Sequence, residues 1–230
     1  GEGEEVVVEI ARQCSRGEPI RGIKGVFYRE QDRIVDPGER APIERISDLP
    51  YPDYSDFDFS RYTDPHRLEV FATRGCVNRC LFCAERSQWK QFRYYTGQRL
   101  FDEVSYQFGR HPHLSKVIFN DSCFNGAIKE FETFCDLVIS SGLKFTWGAQ
   151  GRLHNQMTAE RIVKMKRSGC EYLCLGLETA SQRILDSMEK YQDVRQCEQI
   201  IRHIHNAGIH AYVNFMFGFP GETEEDAEAS

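Results

Sequence analysis

Three segments with the apolar spacing of helices end at a glycine, and a run typical of a β-strand follows each of them. The junctions are Ser141-Gly142, Ser168-Gly169 and Ala207-Gly208. Glycine directly after a helix takes the left-handed conformation that stops the helix. A chain that repeats helix, glycine and strand is restricted to stacked βα units with a parallel sheet, either open or curled into a barrel.

Strand-like runs and helix faces alternate along the chain from about residue 67. The strands are predicted at residues 68–73, 116–119, 145–149, 172–177 and 211–217. One helix has Ile128, Phe131 and Val138 on one face, and Thr158 and Asp193 are predicted to cap the next two. Polar or glycine-rich residues follow every strand, so we predict a single site at the carboxyl edge of the sheet.

The composition excludes several classes of protein. The 230 residues are 40% hydrophobic and carry a net charge of −6, which rules out a disordered chain and argues against a nucleic-acid partner. No apolar run approaches the ~18 residues of a membrane-spanning helix, and the first residues lack the basic segment of a signal peptide. The chain has nine cysteines, several of them at short spacing, and no export signal. In a reducing compartment such cysteines predict metal binding or redox chemistry, and we expect a cytoplasmic location.

Residues 1–66 differ from the rest of the chain, with many Asp, Arg, Gly, Glu and Pro residues. A β-hairpin is predicted from residues 22–28 and 33–35, and turn-forming residues follow at 49–58. We interpret this region as an appendage or linker that packs against a larger domain.

A cluster of cysteines follows the first predicted strand, in the segment Cys76-Val-Asn-Arg-Cys80-Leu-Phe-Cys83. A structural zinc site or an electron-transfer cluster uses a closed set of four ligands. Three thiolates on a four-iron cluster leave one iron open to a substrate-like molecule. The alternative is a zinc site completed by a distant histidine, and the candidates are His66, His111 and His113.

The Cys-x3-Cys-x2-Cys spacing, with Phe82 before the third cysteine, resembles the radical S-adenosylmethionine (SAM) superfamily. Three further segments agree in order, and they are Asn120-Asp-Ser-Cys-Phe124, Gly176-Leu-Glu-Thr-Ala-Ser181 and Gly218-Phe-Pro-Gly-Glu-Thr223. The chain is similar in particular to the group that carries a cobalamin-binding domain ahead of the radical SAM domain. The resemblance implies an α/β fold, a partial (βα)6-type TIM-like barrel with an N-terminal hairpin and linker.

The resemblance also implies a division of the chain. In that group a Gly-Glu-Gly-Glu segment closes the cobalamin-binding domain and a Leu-Pro-x-Pro-Asp-Tyr connector leads into the barrel, as at residues 1–4 and 49–54 here. We therefore expect residues 1–15 to be the tail of an absent cobalamin-binding domain and residues 16–66 a connector. Residues 67–230 are expected to form a radical SAM domain that stops before its last strand. The family's Asp-x-His-x-x-Gly motif is missing, since Glu69 stands where the glycine would be.

By resemblance, Cys76, Cys80 and Cys83 hold a 4Fe-4S cluster, and the amino and carboxylate groups of SAM bind its fourth iron. Reductive cleavage of SAM then starts radical chemistry, which the cofactor carries while the protein fixes distances and excludes water. The other six cysteines are predicted to be small core or surface residues, with Cys123 the one on the active edge.

The remaining SAM-binding residues are also implied by the resemblance. Phe82 belongs to the cysteine motif, and Asn120 and Asp121 follow the second strand, where the family contacts the methionine amino group. A carboxylate there accepts hydrogen bonds from an ammonium group. A plain loop cap or Asx-turn is the alternative for this segment.

Three later positions complete the predicted site. Arg152 could clamp the methionine carboxylate, with a surface ion pair as the alternative. Glu178 ends an apolar strand and matches the family's ribose-contacting acid. Gly218 and Gly221 would let the backbone approach the adenine, with a plain turn as the alternative.

The predicted function is reductive cleavage of SAM for methylation or rearrangement of an unactivated carbon, with cobalamin as methyl carrier. A cobalamin-independent enzyme, with methylthiolation or oxidative ring chemistry, is the second hypothesis, and a non-catalytic metal or iron–sulfur module is the third. The expected partners are a small-molecule substrate and a flavodoxin- or ferredoxin-like reductase that supplies one electron. No catalytic residue beyond the cofactor ligands is predicted.

Overall fold

The computed structural model describes residues 2–230. The chain divides into two compact units, the first ending at Ile46 and the second comprising Ser47–Ser230. The expected division at residues 15 and 66 stays a prediction, because compactness alone does not define an evolutionary domain.

The first unit consists of a helix and a small hairpin. Helix α1 spans Glu4–Ser15, and strands β1 (Tyr28–Glu30) and β2 (Arg33–Val35) pair antiparallel. The hairpin lies where the sequence predicts it, but its first strand starts later than residue 22. Gly22 and Gly25 have φ of 66° and 82°, so the chain turns there instead of extending.

The second unit alternates strands and helices. Its elements are β3 (Arg67–Val70), β4 (Thr73–Arg74), α2 (Glu85–Gln88), β5 (Arg93–Tyr94), α3 (Gly97–Arg110), β6 (Lys116–Phe119), α4 (Ile128–Ser141), β7 (Thr146–Arg152), α5 (Ala159–Arg167), β8 (Cys170–Glu178), α6 (Gln182–Ser187), α7 (Val194–Asn206), β9 (His210–Phe215) and α8 (Glu224–Glu228). The helix ends follow local signals. Thr158 and Asp193 cap α5 and α7 through side-chain oxygens, and Gly142, Gly169 and Gly208 all have left-handed φ values.

Five strands form one parallel sheet in the order β3-β6-β7-β8-β9. One row of partners runs through Val70, Phe119, Ala149 and Leu173, and all four residues are buried. The α/β fold with a parallel sheet is therefore confirmed. All five strands point the same way, so the loops that follow them meet at one edge of the sheet.

The core lies between the sheet and the helices that connect its strands. Its largest members are aromatic, and Phe119, Phe131 and Trp147 contact one another edge to face. Among residues 2–230, no helix is long and apolar enough to cross a membrane.

Candidate functional site at the carboxyl edge of the sheet

The predicted cysteine ligands lie in one long loop, residues 75–92, between β4 and β5. Those two short strands pair antiparallel, so both ends of the loop are held together. Two further bonds attach it to the segment after α6: the Leu81 N–H donates to the Met188 carbonyl at 3.0 Å, and Asn78 Nδ2 donates to the Lys190 carbonyl at 3.4 Å. A cavity of about 740 Å³ opens on the loop and is lined in part by Cys76 and Trp89.

The three thiols are free, but they are not gathered around one point. Across the described residues, no three Cys, His, Asp or Glu side chains lie close enough to hold a metal ion. The donor set nevertheless fits an iron–sulfur cluster, because Cys76, Cys80 and Cys83 are all unoxidised thiols and thiolates are soft ligands for iron.

Neighbouring groups change the acidity of these thiols. A hydrogen bond from the Cys123 thiol, helped by the Asn78 N–H, lowers the pKa of Cys76 below its ordinary value. The same contact, with burial, raises the pKa of Cys123. Burial raises the pKa of Cys80. Among Cys76, Cys80 and Cys123, Cys76 is thus the most ready to act as a thiolate.

The histidines proposed for a zinc site lie elsewhere. His66 precedes β3, and His111 and His113 precede β6, so all three lie at the amino edge of the parallel sheet. His66 Nδ1 lies 2.7 Å from the His113 carbonyl oxygen. The cysteines follow the carboxyl end of β3, so this placement argues against a zinc site shared with a histidine.

Asn120 and Asp121 follow β6 and face different partners. Asn120 Nδ2 donates to Glu69 Oε2 at 2.7 Å. Asp121 is 1% exposed, and its oxygens accept from the main chain of Ala72 and Thr73 and from the Thr73 hydroxyl. The predicted contact of Asp121 with the methionine amino group stays a prediction, since here the carboxylate bonds to the start of the cysteine loop.

Arg152 ends β7, and its main chain is fixed by Asn125. The Asn125 side chain accepts from the Arg152 N–H at 3.1 Å and donates to the Arg152 carbonyl at 2.7 Å. The guanidinium Nε is buried without a hydrogen-bond partner among the described residues. A buried donor without a partner is costly, so this atom marks a place where an anionic ligand would fit.

Glu178 ends β8 and forms an ion pair that the sequence did not predict. Lys190 Nζ lies 3.0 Å from Glu178 Oε1, and both side chains are largely buried. The same ammonium lies 5.5 Å from the centre of the Phe82 ring. Lys190 therefore links the predicted ribose acid to the cysteine loop.

The last loop of the edge carries Gly218 and Gly221, with φ of 82° and 85°. The Gly218 N–H donates to the Glu222 carboxylate, which folds the loop back on itself. Thr223 then caps α8 in a reciprocal pair with Asp226. A Cβ on either glycine would meet no atom within 4 Å, so the space around both glycines is open. Glycine is favoured at these two positions because of the positive φ that the turn requires.

The structure thus places the predicted residues at strand ends and in the loops that follow them, on one edge of the sheet, and adds Lys190. Residues 188–192 carry no recognisable motif, and only the tertiary fold places them under the cysteine loop. Two features of that segment are unusual: Glu189 and Tyr191 both have φ of 53°. Non-glycine residues in this region are strained, and such strain concentrates at functional sites.

The chain is similar to several known proteins. A family model described as the Radical SAM superfamily matches residues 70–230. An uncharacterized methyltransferase of Pyrococcus horikoshii is 29% identical over 238 residues, which covers 100% of this chain and 50% of the relative. An anaerobic magnesium-protoporphyrin IX monomethyl ester cyclase of Cereibacter sphaeroides is 29% identical over 238 residues, covering 99% of this chain and 39% of the relative.

A solved structure has the same fold. The cobalamin-dependent SAM radical enzyme OxsB, with aqua-cobalamin and SAM bound, aligns with a TM-score of 0.80 and 16% identity, covering 99% of this chain and 34% of that chain. This chain therefore spans half or less of the length of these relatives. The matched residues 70–230 include the cysteine loop and the ends of all five parallel strands, and the chain belongs to the Radical SAM superfamily.

Proposed function

We propose that this chain binds a 4Fe-4S cluster and SAM, and that the complete protein methylates or rearranges an unactivated carbon of a small-molecule substrate with cobalamin as methyl carrier. One observation carries the proposal. Three free cysteines occupy a single loop at the carboxyl edge of a parallel sheet that also presents Arg152, whose buried Nε has no partner among the described residues.

Cys76, Cys80 and Cys83 would hold the cluster and leave one iron for SAM. When bound and reduced, such a cluster supplies the electron that cleaves a carbon–sulfur bond of SAM. A flavodoxin- or ferredoxin-like reductase would then return one electron to the cluster. The low pKa of Cys76 favours the thiolate that metal binding requires.

The chain's own side chains would bind and orient SAM. The Arg152 guanidinium is suited to a carboxylate because its donors form a rigid fork. Glu178 would accept hydrogen bonds from the ribose hydroxyls while Lys190 stays paired with its Oε1. Phe82 supplies an apolar ring beside the cysteines, and Asn120 and Gly218 complete the same edge.

The methyl-transfer part of the proposal rests on relatives. One is described as an uncharacterized methyltransferase, and a solved structure with the same fold is that of a cobalamin-dependent SAM radical enzyme. A second candidate is radical ring chemistry without methyl transfer, which the cyclase of Cereibacter sphaeroides favours.

Anaerobic reconstitution of the complete protein tests the cluster. We expect about four iron and four sulfide per chain, and loss of the brown absorption in Cys76→Ala, Cys80→Ala or Cys83→Ala. Cys197→Ala is the matched control, because Cys197 is a buried cysteine on α7 and should leave the cluster intact. A colourless protein that holds one zinc would contradict the proposal.

SAM labelled in its methyl group separates methyl transfer from the reactions that transfer no methyl group. With a reductant and SAM labelled in its methyl group, the proposal predicts release of 5′-deoxyadenosine or methylated product, and bound cobalamin in the complete protein. Bound cobalamin with label in the product supports methyl transfer. Product formation with no transferred label supports rearrangement or ring chemistry, and absence of cobalamin removes it from the mechanism.

A further inference from the structure

Asp121 is a buried carboxylate that accepts hydrogen bonds from two consecutive residues, Ala72 and Thr73. The Ala72 N–H donates to Oδ1 at 2.9 Å and to Oδ2 at 3.1 Å. The Thr73 N–H donates to Oδ1, and the Thr73 hydroxyl donates to the same atom at 3.0 Å. Charge-assisted bonds of this kind are roughly twice as strong as neutral ones.

Ala72 and Thr73 form the base of the cysteine loop. Thr73 begins β4, which pairs with β5 and so closes the loop of residues 75–92. The Ala72 carbonyl accepts from the Tyr95 N–H at 2.8 Å, on the other side of the same base. Cys76 comes only three residues after Thr73, so little backbone separates it from the carboxylate.

The contact joins two different strand ends. Asp121 lies two residues after the end of β6, whereas the loop base follows β3. The Thr73 hydroxyl also lies within 3.4 Å of the Cys123 carbonyl. The segment 121–123 therefore supports the base of the loop from the neighbouring strand of a rigid sheet.

Both Asp121 oxygens are turned inward. The residue is 1% exposed, and its partners Ala72 and Thr73 are buried as well. A group that bound the SAM ammonium directly would need to be reached from the cavity, and Asp121 does not line the cavity on the loop.

We infer that Asp121 is a positioning residue, which fixes the base of the cysteine loop so that its thiolates stay in place around the cluster. The inference rests on the proposed function, since it presupposes that the loop holds the cluster. Preorganised ligands need such support from groups behind them, and loss of that support commonly weakens metal binding by 10- to 100-fold, roughly.

The test uses the complete protein, reconstituted anaerobically, in three forms. Asp121→Ala removes every bond to the loop base. Asp121→Asn keeps an acceptor oxygen for the Ala72 and Thr73 N–H groups. Glu103→Ala is the control, because Glu103 is also a buried carboxylate, but it pairs with Arg99 on α3 and makes no hydrogen bond to Ala72 or Thr73.

The readout is the rate at which assembled cluster loses iron to a chelator, together with the electron paramagnetic resonance spectrum of the reduced cluster. Measurements are made well below the melting temperature of each variant. We expect Asp121→Ala to release iron roughly tenfold or more faster with an altered spectrum, and Asp121→Asn to recover most of the wild-type behaviour. Glu103→Ala should lose thermal stability while its release rate and spectrum stay at wild-type values.

Other outcomes overturn the inference. Wild-type iron release and spectrum in Asp121→Ala would show that the loop does not depend on Asp121. If Glu103→Ala releases iron as fast as Asp121→Ala, the effect of Asp121 is one of general stability. Wild-type iron release in Asp121→Ala together with weaker SAM binding in Asp121→Asn would make Asp121 a direct SAM ligand instead. If the wild-type protein assembles no cluster, the proposed function itself fails, which is a different result.

Discussion

Glu178 and Lys190 form an ion pair, 3.0 Å from Oε1 to Nζ, with side chains 14% and 8% exposed. Both sit on unusual backbone. Glu178 has a φ of 75°, and Lys190 lies between Glu189 and Tyr191, each with a φ of 53°. Left-handed conformations at non-glycine residues cost on the order of 1–3 kcal/mol each, so the surrounding fold holds this pair against local preference. The fold therefore maintains this pair at the end of β8 despite the cost of the backbone around it.

Glu178→Gln should weaken SAM binding without loss of the cluster. Glutamine keeps the shape but removes the charge from hydrogen bonds to the ribose, and charged bonds contribute about 1.5–3 kcal/mol, so affinity should fall roughly 10- to 100-fold. Titration of SAM into the reconstituted complete protein, followed through the spectrum of the reduced cluster, measures this. Glu171→Gln, at the exposed amino end of the same strand, should bind SAM normally. Unchanged affinity in Glu178→Gln would leave Glu178 with a structural role only.

The backbone strain at Glu178 makes a separate prediction about stability. Glu178→Gly and Glu178→Ala both remove the partner of Lys190, but only glycine adopts a φ of 75° without cost. The glycine variant should therefore unfold with a free energy about 1 kcal/mol higher than the alanine variant. Urea denaturation of the cluster-free protein measures the difference. An alanine variant as stable as the glycine variant would mean that the backbone relaxes after substitution.

Local chemistry made much of the fold predictable. The glycines at 142, 169 and 208 stop their helices in the left-handed conformation, and the caps at Thr158 and Asp193 form as their side chains predict. These signals depend on neighbouring residues only. Because strands and helices alternate, a parallel sheet with its site at the carboxyl edge follows from topology.

Features that depend on tertiary contacts could not be predicted. Strand β7 continues to Arg152 instead of ending at residue 149, because residues 150–152 pair with residues 174–176 of β8. The partners of Asp121 and of Glu178 likewise come from segments 48 and 12 residues away in sequence. No local pattern at Lys190 or Thr73 indicates these contacts.

Asp121 predicts a distinctive pH dependence. Burial raises its pKa from 3.8 to about 6, so between these values the folded protein binds a proton that the unfolded chain has lost. Its contribution to the free energy of unfolding therefore falls as pH rises from about 4 to about 6, by on the order of 3 kcal/mol in total. The stability of wild type minus that of Asp121→Asn, from urea denaturation of the cluster-free protein at several pH values, isolates this effect. A difference that does not change between pH 4 and pH 7 would show that Asp121 has an ordinary pKa.

Arg152→Lys should weaken SAM binding without weakening the fold. Lysine keeps the charge but loses the planar fork that binds a carboxylate through two donors, so affinity should fall roughly tenfold. The buried Nε has no hydrogen-bond partner among the described residues, so its removal breaks no bond and the free energy of unfolding should not fall. Arg161→Lys is the control, since Arg161 pairs with Glu132 on the helical face at 3.1 Å and should keep normal SAM affinity. If Arg152→Lys instead loses stability and binds SAM as tightly as wild type, the guanidinium serves the fold and the carboxylate of SAM is bound elsewhere.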